Sequence, residues 1–181
     1  MKVTFLIIFS FFSVSTFAQF ETKFNEMSAI QNPNFDDYDN LVFESTTYIF
    51  NHPTDEKSGE LKYAKKIAQF WMGRDTGFTM PTFGNFYLSL EKQSSQRFYY
   101  VLAMMHYNLI QKLERNRLII FTKIDGMKFS DLPEVKEVQI EGAKILLNYG
   151  QQEKNKLKFN SNCEKYTTAN KKGYLEDIFF Q

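Results

Sequence analysis

Residues 98–105, FYYVLAMM, are apolar without interruption, and Leu109, Ile110 and Leu113 carry the pattern on. A helix that is apolar nearly all round belongs either at the centre of a protein or in a membrane. A spanning helix needs about 20 apolar residues, and this run is broken by His106 and Asn108. SSQRFYYVLAMMHYNLIQKLERN is therefore read as the central core helix of a bundle, with Ser94 or Ser95 as its cap. The remaining segments have to wrap it.

The neighbours carry helical periodicity. In GELKYAKKIAQFWMG, Leu61, Ala64, Ile67, Ala68 and Trp71 share one stripe while Lys62, Lys65, Lys66 and Gln69 fall elsewhere. Thr54 or Ser58 suits its N-cap, and Gly73 the left-handed position past its end. Asp39 is expected to cap a helix through LVFESTTYIF, which stops where Pro53 pushes His52 away from helical angles. Pro81 suits the first turn of a short helix over about 82–92, with Phe83, Phe86, Tyr87 and Leu90 inward. SDLPEVKEVQIEGAKILLNYG is punctuated by Ser130 or Asp131, Pro133 and Gly150. Its stripe is Val135, Val138, Gly142, Ile145, Leu146 and Tyr149, and Gly142 marks a close helix crossing. A further helix is expected around Cys163–Ala169. The tail GYLEDIFFQ is expected to fold Tyr174, Leu175, Ile178 and Phe179 back on the bundle.

RLIIFTKIDGMKF is ambiguous. Ile119, Ile120, Phe121 and Thr122 are strand formers, but a lone strand has nothing to pair with, so helix is expected for 117–129, with a turn at Asp125–Gly126. The fold class is all-α: a single-domain bundle of five to six helices over 39–181, after an irregular lead-in over 19–38 rich in Asn, Asp and Pro.

MKVTFLIIFSFFSVSTFAQF, residues 1–20, has a positive Lys2, an apolar stretch from Val3 to Val14, and small residues at Thr16 and Ala18. That is the pattern of a secretory signal peptide over 1–18, cleaved after Ala18 to leave Gln19 at the terminus; an uncleaved anchor is the alternative. No cysteine follows the apolar stretch, so a lipoprotein anchor is not supported. The expected destination is the periplasm or the exterior, with no transmembrane segment in the mature chain. Removing Lys2 from 22 basic residues leaves 21 against 21 acidic ones. Such a neutral chain offers no basic excess for nucleic acid or an anionic membrane. Cys163 stands alone, so it has no internal disulfide partner. It is buried and inert, free and reactive, or paired with another chain.

Catalytic signatures are missing. The two histidines, His52 and His106, do not form HExxH, and no paired cysteine spacing, GxSxG, P-loop or GxGxxG occurs. Ser89–Lys92 fits a bare SxxK without its partner motifs, and NPNFDDYDN lacks the central glycine and late glutamate of a calcium loop. An enzyme is not expected, and no cofactor or metal is expected. Two groups of residues are candidates for ligand binding. Trp71, Arg74 and Asp75 lie in or beside the loop QFWMGRDTGFTM, where Arg offers a planar fork for carboxylate or phosphate. Met104 and His106 lie on the core helix, where Phe, Tyr and Met can line a pliable apolar pocket. The competing reading makes the loop plain punctuation between helices and His106 a hydrogen-bonded core residue.

FWMG at a helix end, an aromatic reached through DTGF, the core helix YYVLAMMHYNL and the helix end ILLNYG occur in that order over roughly 40–180. The chain thereby resembles a family of small, exported, all-helical bacterial proteins of unknown function. The resemblance implies a helical fold and export. It transfers no functional residue, and the apolar 117–129 departs from the polar helical connection it implies. Together these features point to a non-catalytic protein-binding or envelope-associated module, with a protein partner in the cell envelope. A carrier or sensor of an apolar small molecule is the alternative.

Overall fold

The computed structural model describes residues 19–31, 34–74, 76–91, 95–155 and 157–181. Among them are eight α-helices and no strand: α1 Gln19–Ala29, α2 Asp39–Asn51, α3 Gly59–Met72, α4 Gly84–Ser89, α5 Gln96–Glu114, α6 Pro133–Gly150, α7 Ser161–Lys172 and α8 Leu175–Phe179. The chain is all-α, with more helices than the five to six expected. The signal-peptide expectation for 1–18 lies outside the described residues.

The periodic stripes explain the architecture. Along α5, Tyr99, Tyr100, Leu102, Ala103, Met104, Met105 and Leu109 are all buried, so the helix is covered on most of its circumference. It packs most extensively on α6 and then on α2, while α3 lies against α1 and α2. The α5–α6 crossing is close because Gly142 has no side chain. A Cβ built there would fall 2.4 Å from Met104 Cγ and 3.1 Å from its backbone nitrogen. The glycine costs α6 about 1 kcal/mol of helix propensity, and the close approach offsets it. Aromatic pairs lock the other layers. Phe86 of α4 meets Tyr100, Tyr166 and Phe179 at 5.0, 5.1 and 5.2 Å, so one ring ties α4 to α5, α7 and α8. Leu175 and Phe179 are buried as expected of the tail, whereas Tyr174 is exposed.

Several local expectations are corrected. Residues 19–29 are helical, not an irregular lead-in, because Phe20, Phe24 and Met27 recur at helical spacing and pack on the core. Asp39 lies inside the first turn of α2, whose cap position is Tyr38. Ser58 does cap α3, accepting the Leu61 N–H at 3.1 Å. Gly73 closes α3 at φ −79°, and the left-handed angle comes later, at Gly77, φ 73°. Pro81 precedes α4, which starts only at Gly84 and ends at Ser89. Neither Ser130 nor Asp131 caps α6; both belong to a 3-10 turn, and Leu132 takes the cap position. Gly150 is the last residue of α6 and not the one beyond it. Residues 117–128 are not helical, and Phe129 opens the 3-10 turn.

Candidate functional site

The loop between α5 and α6 keeps much of its apolar surface in water. α5 stops at Glu114, and Asn116 turns the chain at φ 51°, a left-handed angle that its short polar side chain tolerates. Arg117 then anchors the new direction. Its N–H donates to the Gln111 carbonyl at 2.8 Å, and its guanidinium forks onto Glu137 of α6 at 2.5 and 2.7 Å. The Tyr107 hydroxyl of α5 donates to the same carboxylate at 2.5 Å. Arg117 and Tyr107 outweigh partial burial and hold Glu137 below the usual carboxylate range.

From there burial alternates, as in an extended chain: Leu118 out, Ile119 in, Ile120 out, Phe121 half-buried, Thr122 out. A tight turn follows, with Thr122 N–H donating to the Ile120 carbonyl at 3.1 Å, and Met127 N–H closes a second turn on Ile124 at 3.1 Å. Phe129 ends the segment against Phe121 and Phe83, at 5.6 and 5.9 Å. Leu118, Ile120, Ile124, Met127 and Phe129 still keep between 41% and 61% of their surface exposed. The strand-forming residues thus run as an irregular segment whose burial alternates and which turns at Ile120–Thr122, with no second strand beside it among the described residues.

The sequence candidates fall elsewhere and do not assemble into one site. Trp71 is buried, its indole N–H donating to the Phe35 carbonyl at 3.4 Å, with the Phe78 ring 5.2 Å away. Arg74 is exposed and lies over the Phe70 ring at 4.6 Å. Asp75 lies outside the described residues, so no Arg74–Asp75 pair is described. Met104 is fully buried at the Gly142 crossing. His106 is half-buried. Its Nδ1 lies 2.9 Å from the Thr46 hydroxyl, and its ring stacks on Phe43 at 5.3 Å. Thr46 also reaches the Phe43 carbonyl at 3.0 Å. That carbonyl can only accept, so a hydroxyl proton given to it leaves Nδ1–H to donate to the Thr46 oxygen. Burial lowers the imidazole pKa from 6.5 to about 4, so it is neutral at physiological pH.

Cys163 is buried between α7 and α4. Its thiol donates to the Ser89 carbonyl at 3.2 Å, and burial pushes its pKa up, the opposite of what a nucleophile needs. Ser89 donates to the Phe86 carbonyl at 2.6 Å, and Lys92 of the SxxK pattern lies outside the described residues. Among the described residues no group of three His, Cys, Asp or Glu side chains gathers to hold a metal ion. No helix among them is long and apolar enough to cross a membrane. An apolar cleft of about 350 Å³, open to solvent, lies where α1 meets α2, lined by Phe20, Phe43, Glu44, Thr47, Tyr48 and His52.

No family model, no curated protein and no solved structure matches this chain. The exposed loop between α5 and α6 is thus interpreted on its own chemistry. It went unrecognised as a site in the sequence, although its run of β-branched and aromatic residues was the available signal.

Proposed function

We propose that this is an exported, non-catalytic protein-binding module whose contact surface is residues 118–129. The observation that carries the reading is five large apolar side chains on one loop that keep between 41% and 61% of their surface exposed. A contiguous exposed apolar surface of this kind marks a contact site, which takes up an apolar segment of a partner. Charge selects the partner. Between 115 and 128 the exposed charges are Arg115, Arg117, Lys123 and Lys128 against Asp125. Arg117 is already paired to Glu137, so 4 − 1 leaves three cations against one acid. The complement is a segment carrying apolar residues and carboxylates. Export through residues 1–18 places that partner in the envelope or outside the cell. Kinship with the small exported helical proteins belongs to the same proposal.

The carrier alternative draws on the same aromatic content. Its expected lining, Met104 and the core-helix aromatics, is instead filled by neighbouring side chains, which favours the protein-binding reading. A photocrosslinking residue placed at Ile124 of the exported protein, compared with one at exposed Glu164 on α7, tests the proposal in intact cells. A discrete protein adduct from 124 that is missing from 164 is expected. No adduct from 124, or the same adducts from both positions, refutes it.

A further inference from the structure

The start of α1 points to a covalent modification. We infer that in the exported protein Gln19 is converted to pyroglutamate, closing the mature chain with a neutral lactam. The inference rests on the proposed cleavage after Ala18, which makes Gln19 the terminal residue. An N-terminal glutamine carries both reacting groups itself. The free α-amine attacks its own side-chain Cδ, the N–Cδ bond forms, the Cδ–Nε2 bond breaks, and the amine proton leaves with the amide nitrogen as ammonia. No oxidant or co-substrate is needed.

The fold supplies the rest. Gln19 is helical and exposed, and becomes the first residue of α1 once 1–18 are removed, so the ring can close without displacing a packed group. The helix is held from the very next residue: Phe20 packs edge-on against Tyr48 at 5.5 Å, Phe24 against Phe70 at 6.3 Å, and Met27 is fully buried. A free ammonium would thus be fixed at the positive end of a docked helix, where cations are unfavourable. Cyclisation removes that charge. The five-membered ring resembles proline, whose geometry suits the first helical position. The product seals a terminus that lies beside the α1–α2 cleft against aminopeptidases.

Intact mass spectrometry with fragmentation of the N-terminal peptide, on protein recovered from an exporting host and held at neutral pH, tests this. The expected mass is that of residues 19–181 less one ammonia, with the loss localised to Gln19 and the amine reappearing at Phe20 after pyroglutamyl aminopeptidase. Gln19→Ser is cut at the same bond and shows no ammonia loss. A full-mass 19–181 species with a free Gln19 amine overturns the modification while leaving export intact. A different N-terminus overturns both.

Discussion

At the scale of single residues, two positions report the packing most sharply. Gly142 is a spacer whose replacement forces Met104 of α5 away. Gly142→Ala gains about 1 kcal/mol of helix propensity but overpacks a fixed crossing, a change that costs about 1–3 kcal/mol. Gly142→Val adds more bulk without that gain. Denaturant unfolding is expected to show Val markedly less stable than Ala, and Ala no more stable than the parent. A stabilised Ala variant would mean that the helices separate freely. His106 reports pH. Its folded pKa of about 4 lies below the 6.5 of the free side chain, so between those values the unfolded chain binds a proton that the folded chain refuses. Its contribution is complete above pH 6.5 and is lost as pH falls towards 4, on the order of 3 kcal/mol. In His106→Gln the unfolding free energy is expected to fall less steeply across that window than in the parent. Parallel curves would mean that the imidazole is not held neutral. The sequence suggested both roles, since a glycine in an apolar stripe and a histidine on an apolar helix each imply a neighbour. It left Thr46 and Phe43 unidentified as the partners of His106, because contacts sixty residues apart leave no local pattern.

At the scale of elements, charged ties fix how helices meet. Lys112 of α5 reaches Asp39 of α2 at 2.5 Å and Asp36 at 2.9 Å, and the Asp39 side chain is nearly buried. Burial raises the Asp39 pKa, and Lys112 works against that rise. Removing the lysine strands a buried carboxylate, so Lys112→Ala is expected to cost about 2–4 kcal/mol, and clearly less in an Asp39→Asn background. Additive losses in the double-mutant cycle would contradict the tie. Arg117 does the same for the α5–α6 loop, but half in water, so Arg117→Ala is expected to cost no more than about 1 kcal/mol globally. Its visible effect is local: chymotrypsin should nick the chain at Phe121 faster than in the parent, and an unchanged rate would show that Arg117 does not anchor the segment. The long elements α3, α5 and α6 were legible because stripe, cap or breaker agreed. α1 was obscured by the polar Asn-Asp-Pro run that follows it, and its apolar spacing at Phe20, Phe24 and Met27 was overlooked. Residues 117–128 were assigned to the wrong state because an extended segment without a pairing partner was discounted. Ile119 and Phe121 reach the core by side chain alone, and that tertiary anchoring replaces the missing pairing.

At the scale of the whole molecule, the aromatic and methionine content is spent on a packed interior, and the unspent apolar surface is concentrated on one loop. The proposed function divides the roles accordingly, with stability in α1–α8 and contact in 118–129. The two roles separate under a single substitution, Ile120→Asp, because Ile120 is the most exposed apolar residue of the segment, at 61%. A surface change away from packing alters stability by no more than about 0.5 kcal/mol, whereas a carboxylate placed there repels an acidic, apolar partner. The most direct measurement is therefore a paired one on Ile120→Asp, combining its unfolding free energy with the yield of the adduct trapped from position 124 in cells. An unchanged unfolding free energy with the adduct lost is the predicted result. A loss of several kcal/mol would make the segment part of the core, and an undiminished adduct would place the contact surface elsewhere.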